Sequence, residues 1–247
     1  MVQGPPGTGK TAMTAVLVFH AVRQGMGQIL VCAPSNAATT HIAEAVAALG
    51  LKVVRLLPRS REGENLQLAA ELRLDHHALQ VDAEAAEVVA QLLALQREFE
   101  LATSDAKLLA RMQDEVNDAA VRLADVVCCT TMMTGDPLVA QHIYKCLVVD
   151  EAAQAEEPSL IVPLTLGAEW VVFVGDHKQL GPVVACPAAR RAGYGVSMFE
   201  RLADRIVEPQ MLNTQYRMHP LLAEYSSTTF YKGLLFDGVT AEDRSSA

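Results

Sequence analysis

The sequence predicts an α/β fold built on a parallel sheet with helices on both faces. Short runs rich in Val, Ile and Leu recur along the 247 residues, and they are continuous rather than alternating, as strands covered on both faces must be. Patterns of helical period separate these runs, so the connections should be right-handed crossovers. Polar motifs lie at the ends of the apolar runs, where ligands collect in such sheets.

The predicted strands are Gln28–Ala33, Lys52–Leu57, Asp125–Thr130, Cys146–Asp150 and Trp170–Gly175. Helical patterns run from about Thr11 to Arg23 and over Ala37–Leu49. Ahead of them all stands Gly4-Pro5-Pro6-Gly7-Thr8-Gly9-Lys10-Thr11, which fits G-x-x-x-x-G-K-[ST]. Gly4, Gly7 and Gly9, with Thr8 between them, let the backbone curl so that successive N–H groups face a β-phosphate. Lys10 should reach the β- and γ-phosphates as a point charge and Thr11 should offer its hydroxyl to Mg²⁺, while the helix that follows turns its positive end to the anion. Only Met1, Val2 and Gln3 precede this loop. The expectation is therefore a piece of a longer protein that lacks the strand before its loop, with the helix against a gap and two strand edges unpaired.

Composition sets outer limits. With 51% hydrophobic residues the chain can bury a full core, as one large domain or two modest ones. No window of 18 apolar residues suggests a membrane span, and no basic segment leads into an apolar run as in a signal peptide. Cys32, Cys128, Cys129, Cys146 and Cys186 form no C-x-x-C pair and read as reduced core residues of an intracellular, cytoplasmic protein. His76-His77, in a polar break, reads as exposed. The net charge of −9 is concentrated: residues 60–125 hold six basic and fourteen acidic side chains, a balance of −8, which leaves −1 for the rest. Acidity in one segment does not exclude a nucleic-acid groove elsewhere.

That acidic segment carries two apolar stripes. Val81, Ala85, Val88, Leu92, Leu95, Phe99 and Ala102 trace one, and Leu109, Met112, Val116, Ala119 and Leu123 trace the other. A helical hairpin would bury both and leave the carboxylates in solvent.

The run Leu147-Val148-Val149 ends in Asp150-Glu151. After a phosphate loop, such a pair suits one carboxylate for Mg²⁺ (Asp150) and one to orient and deprotonate the attacking water (Glu151). Three further stretches follow other strands: Ala33-Pro34-Ser35-Asn36-Ala37, Gly175-Asp176-His177-Lys178-Gln179-Leu180 and Gln215-Tyr216-Arg217-Met218-His219-Pro220. Together with the loop and Asp150-Glu151-Ala152-Ala153-Gln154, in this order, they resemble superfamily 1 helicases of the branch that acts in nonsense-mediated mRNA decay. "LKVVRL", "DVVCCT", "GDHKQLGPVV" and "FYKGLLFDGVTAEDR" extend the likeness over nearly the whole chain.

The resemblance implies a RecA-like P-loop lobe over residues 1–59 and 126–220, an acidic helical insertion at 60–125, and the start of a second lobe at 221–247. Gln179 would sense the γ-phosphate, Arg217 would serve as an arginine finger, and Tyr216 would stack on adenine. Ser35, Asn36 and Thr130 would grip the backbone of single-stranded RNA, DNA being possible, although Ser35-Asn36 would equally suit a helix cap and Thr130 simple strand-end packing. Ala153 departs from the family, which has Ser or Thr there. The implied parent is an ATP-driven 5′-to-3′ helicase with mRNA decay factors as partners, while this chain alone is not expected to translocate. An ATP-regulated RNA clamp and an inactive partial gene product stay open as alternatives.

Overall fold

The computed structural model describes residues 1–58, 67–98 and 103–245. Its strands are β1 (Val2–Gln3), β2 (Ile29–Ala33), β3 (Val53–Arg55), β4 (Val126–Thr130), β5 (Cys146–Val149), β6 (Trp170–Gly175), β7 (Gln210–Met211), β8 (Thr214–Gln215) and β9 (Phe236–Asp237). The helices are α1 (Lys10–Arg23), α2 (Asn36–Ala47), α3 (Leu74–Val81), α4 (Ala83–Glu98), α5 (Thr103–Arg122), α6 (Pro137–Ala140), α7 (Glu157–Leu164), α8 (Pro187–Ala189), α9 (Met198–Arg205) and α10 (Pro220–Phe230). Seven strands form one sheet in the order β3-β4-β2-β5-β6-β1-β7, and β8 pairs separately with β9. Every one of these pairings is parallel, so all five predicted runs are strands of the predicted kind.

The pleat sends successive side chains to opposite faces and divides the apolar runs between two cores. Ile29, Val31, Val126, Cys128, Cys146 and Val148 pack with Ala15 and Val18 of α1 and Ile42 and Val46 of α2. Leu30, Cys32, Val127, Cys129, Leu147 and Val149 meet Leu160 of α7 and Phe199 of α9 on the other face. Each fully buried Val, Leu or Ile is worth roughly 1.5–3 kcal/mol. Four of the five cysteines are buried and free, and desolvation pushes the Cys128 thiol up to about 12, far from a reactive thiolate. The parallel sheet, its flanking helices and the helical elements inserted after β3 make a RecA-like P-loop fold.

The strand before the phosphate loop is present, which corrects the expectation of a gap. Val2 lies opposite Val174 and Gln210, and Gln3 opposite Gly175 and Met211. The amide of Gly4 donates to the Gly175 carbonyl at 2.9 Å, and those of Gln210 and Leu212 donate to Met1 and Gln3 at 3.0 and 2.8 Å. Two residues suffice because a central strand bonds on both sides, so β6 and β7 both find a partner along β1.

The acidic segment differs from a simple hairpin. Three helices pack there, with Ala78 of α3, Ala86 of α4 and Ala120 of α5 at the centre and Leu74 and Val116 around them. Val88 and Leu95 are 39% and 48% exposed, whereas Ala86 and Val89 are buried. The third helix supplies a wall that a two-helix pattern omits, so the buried face of α4 is turned by about one residue. Phe99 and Ala102 lie outside the described residues. Leu109 is buried as expected, while Leu123 is exposed and Ala124 takes its place. His77 is also buried, its Nε2 within 3.0 Å of the Val53 carbonyl and 2.8 Å of that of Glu71, so it is a structural donor rather than an exposed ring. No helix of the described residues is long and apolar enough to cross a membrane.

Candidate nucleotide site

The phosphate loop is shaped by its own side chains. Gly7 and Gly9 take φ of 76° and 78°, the left-handed region where a Cβ is strained. Thr8 closes the turn, its hydroxyl donating to the Pro5 carbonyl at 2.8 Å. The Lys10 chain lies over Gly4, where any Cβ would collide with it, and Nζ donates to the Gly4 carbonyl at 3.0 Å. Gly9 gives α1 no side-chain cap, so the N–H groups of its first turn face the loop as an anion site. Gly7 also touches the opposite wall: a Cβ there would stand 2.6 Å from Cβ of Arg217. Gly7→Ala is therefore expected to push the 215–218 turn off the loop, costing about 1–3 kcal/mol of stability and weakening nucleotide binding. A thermal melt and a nucleotide titration read both effects.

Asp150 and Glu151 follow β5. Asp150 is 4% exposed, and burial, then the neighbouring Glu151 charge, push its carboxyl up to about 6. Its Oδ1 accepts the Glu151 amide at 3.0 Å. Glu151 adopts the left-handed conformation (φ 51°, ψ 34°), which turns its carboxylate back over the loop. Oε1 stands 4.0 Å from Lys10 Nζ, and Oε2 accepts from Gln154 at 3.0 Å. Ala153 is buried against β6, where a Cβ on Gly175 would sit 2.9 Å from its nitrogen. A buried carboxylate raised by desolvation is a group that a cation would relieve. With the Thr11 hydroxyl it offers the hard oxygen donors that Mg²⁺ takes beside phosphates, and no cluster of three metal-ligating side chains is found among the described residues.

Asp176, which follows β6, stands in a quoted motif but received no role from the sequence. It is 2% exposed and accepts from Gln3, from the Lys178 amide, from Gln179 and from the Tyr231 hydroxyl. Gln179 lies beside the loop, its Nε2 2.7 Å from Asp176 Oδ2 and 3.4 Å from the Gly4 carbonyl. The Tyr216 amide donates to the Gly7 carbonyl at 2.9 Å, which seats Tyr216 and Arg217 on the loop. Gln215 underneath is fully buried and accepts the amides of Arg217 and Met218 at 2.9 and 2.7 Å. Tyr216 is 53% exposed, with Gly238 at the edge of its ring. Among the described residues the Arg217 guanidinium has no partner.

Ser35, Asn36 and Thr130 gather elsewhere, at the ends of β2 and β4, where Ala33 and Thr130 are in register. Ser35 does cap α2, accepting the Ala38 amide at 3.2 Å. Asn36 Oδ1 accepts from Arg55 at 2.9 Å, which turns its amide NH₂ outward as a donor. Arg55 was not foreseen. It is 1% exposed, lowered in pKa by burial, and also bonds Thr40 and the Leu56 carbonyl. The signal was present in the sequence: an arginine inside an apolar run must be held by something.

Comparison with known proteins agrees with this geometry. An AAA domain model matches residues 1–106 and 59–186, and a second AAA domain model matches residues 194–247. The regulator of nonsense transcripts 1 homolog of Arabidopsis thaliana is 43% identical over 245 residues, covering 99% of this chain and 20% of that protein. The ATP-dependent helicase NAM7 of Saccharomyces cerevisiae is 42% identical over 245 residues, covering 99% of this chain and 25% of its own length. The chain thus spans about a fifth to a quarter of these relatives. Among solved structures, an arterivirus nonstructural protein 10 helicase with DNA superposes with a TM-score of 0.50 at 15% identity, over 96% of this chain and 40% of that one. The PRRSV helicase gives 0.51 at 17% identity, over 97% and 35%, and both are likenesses of fold. The chain belongs to the AAA domain family of P-loop proteins, and over nearly its whole length it is homologous to helicases of the regulator-of-nonsense-transcripts and NAM7 type.

Proposed function

We propose that the chain is the ATPase core of an RNA helicase or translocase, binding Mg-ATP on the phosphate loop and single-stranded RNA, or DNA, at the ends of β2 and β4, in a protein that acts in nonsense-mediated mRNA decay in the cytoplasm with decay factors as partners. The observation that carries it is convergence. Lys10 and Gln179 both reach the Gly4 carbonyl, Glu151 stands 4.0 Å from Lys10, and Arg217 rests on Gly7. Lys10 and the first turn of α1 hold the phosphates, Glu151 takes a proton from the attacking water, and Arg217 meets charge that develops on the γ-phosphoryl group. Mg²⁺, held by Thr11 and Asp150, would neutralise phosphate charge. Tyr216 stacks on the base. Asn36, oriented by Arg55, donates to a backbone phosphate, with Ser35 and Thr130 beside it. Residues 1–59 and 126–220 form the ATPase lobe, 60–125 the insertion and 221–247 the start of a second lobe.

The test is a calorimetric titration with Mg²⁺ and a slowly hydrolysed ATP analogue. Saturable binding is expected, and Lys10→Ala should weaken it at least about 10-fold, since it removes a charge-assisted contact to phosphate. Equal binding by the variant would sink the reading. RNA binding that changes with nucleotide but never stimulates hydrolysis would instead favour a clamp.

A further inference from the structure

Tyr231 follows the last residue of α10 and is 5% exposed, yet its hydroxyl donates to Asp176 Oδ2 across 55 positions of sequence, at 2.7 Å. Asp176 is fully subscribed. Oδ1 accepts from Gln3 at 3.0 Å and from the Lys178 amide at 3.1 Å, and Oδ2 accepts from Tyr231 and from Gln179, both at 2.7 Å. A carboxylate has about four lone-pair sites, so each donor fixes part of its orientation. Gln179 has two amide hydrogens: one is held by Asp176 at 2.7 Å, and the other faces the Gly4 carbonyl at 3.4 Å, a contact long enough to be given up to a phosphate oxygen. Where the carboxylate goes, the amide follows.

We infer that Tyr231 is a positioning residue for recognition of the γ-phosphate: by holding Asp176 it keeps Gln179 over the first carbonyl of the phosphate loop, so that the end of α10 is wired to the nucleotide. The inference rests on the reading of Gln179 as the γ-phosphate sensor. Burial, and then the bond to Asp176, raise the phenol far above its ordinary range, so Tyr231 acts as a donor at every physiological pH. Gln3 performs the same service from β1. The network therefore spans three separate stretches of chain, the first strand, the turn after β6 and the end of α10, and its Gln179 member donates to the first carbonyl of the loop.

The test compares the affinity of the whole chain for a slowly hydrolysed ATP analogue with that for ADP, both with Mg²⁺, in the wild type, Tyr231→Phe, Gln179→Ala, the double variant and Lys10→Ala. Loss of one hydrogen bond to a buried carboxylate should reduce the preference for the triphosphate by about fivefold in Tyr231→Phe, with ADP affinity unchanged. Gln179→Ala should lower the same preference, and the double variant should add little more, because both act through one amide. If Lys10→Ala abolishes binding but Tyr231→Phe discriminates like the wild type, the positioning role is overturned and the ATP site stands. Equal loss of both affinities in Tyr231→Phe would mean that it holds only the fold, and would overturn it too. Unchanged binding in Lys10→Ala would remove the nucleotide reading and this inference together.

Discussion

Glu151→Gln is expected to lower the rate of ATP turnover by about 10²–10⁴-fold while nucleotide affinity changes little. The substitution keeps length and shape, and Oε2 of Glu151 accepts only a neutral amide, from Gln154 at 3.0 Å, a bond that a glutamine carbonyl also makes. What disappears is the group proposed as the base. The contact to Lys10 is long, at 4.0 Å, and both side chains are partly open to solvent, so its loss costs little in phosphate binding. The left-handed backbone at this position is a strained one for a residue with a Cβ, and glutamine inherits both the strain and the aim of the side chain. Single-turnover hydrolysis with single-stranded RNA present, beside a titration of the same variant, separates the two quantities. A turnover rate unaltered by the substitution would move water activation to another group, and Gln179 would be the first to test.

Most of the sheet was legible because buried parallel strands are written as uninterrupted apolar runs, and the five runs read from sequence are five strands. β1 was not, because two residues carry no periodicity. Val2 and Gln3 become a strand only through their partners on β6 and β7. The insertion shows the same limit. The stripe through Val88 and Leu95 has the right spacing for a helix, yet spacing cannot say which neighbour covers it, and α3 shifted the buried face to Ala86 and Val89. In the site, the phosphate loop and the Asp150-Glu151 pair were legible because their chemistry is local in sequence. The Asp176 hub was hidden for the opposite reason: its partners Gln3, Gln179 and Tyr231 are brought together only by the fold. Arg55 stood in plain view but needed Asn36 and Thr40 beside it to have a meaning.

Asp150→Asn should make the chain more stable and at the same time abolish its Mg²⁺-dependent affinity for nucleotide. The carboxyl of Asp150 titrates at about 6 in the fold against an ordinary value of 3.8, with burial as the first cause and Glu151 as the second. A folded-state value above the unfolded one means that the native chain binds the proton more tightly, so this group's contribution falls as pH rises from about 4 to about 6 and stays unfavourable above that. Roughly two pH units correspond to at most about 3 kcal/mol. Asparagine carries no charge to desolvate and still accepts the Glu151 amide, so at pH 7.5 the variant should melt higher by about 3–10 °C, with the gain shrinking towards pH 4. Saturating Mg²⁺ and ATP analogue should reverse the order, since ligand stabilises only the form that binds it, and the charge that weakens the empty fold is the one a cation needs. Melting curves at pH 5 and 7.5, with and without ligand, decide the matter. A variant less stable than the wild type at pH 7.5 would mean that Lys10 and His41, which oppose the rise, already compensate the buried charge, and the cost of keeping the carboxylate proposed to bind Mg²⁺ would have to be sought elsewhere in the site.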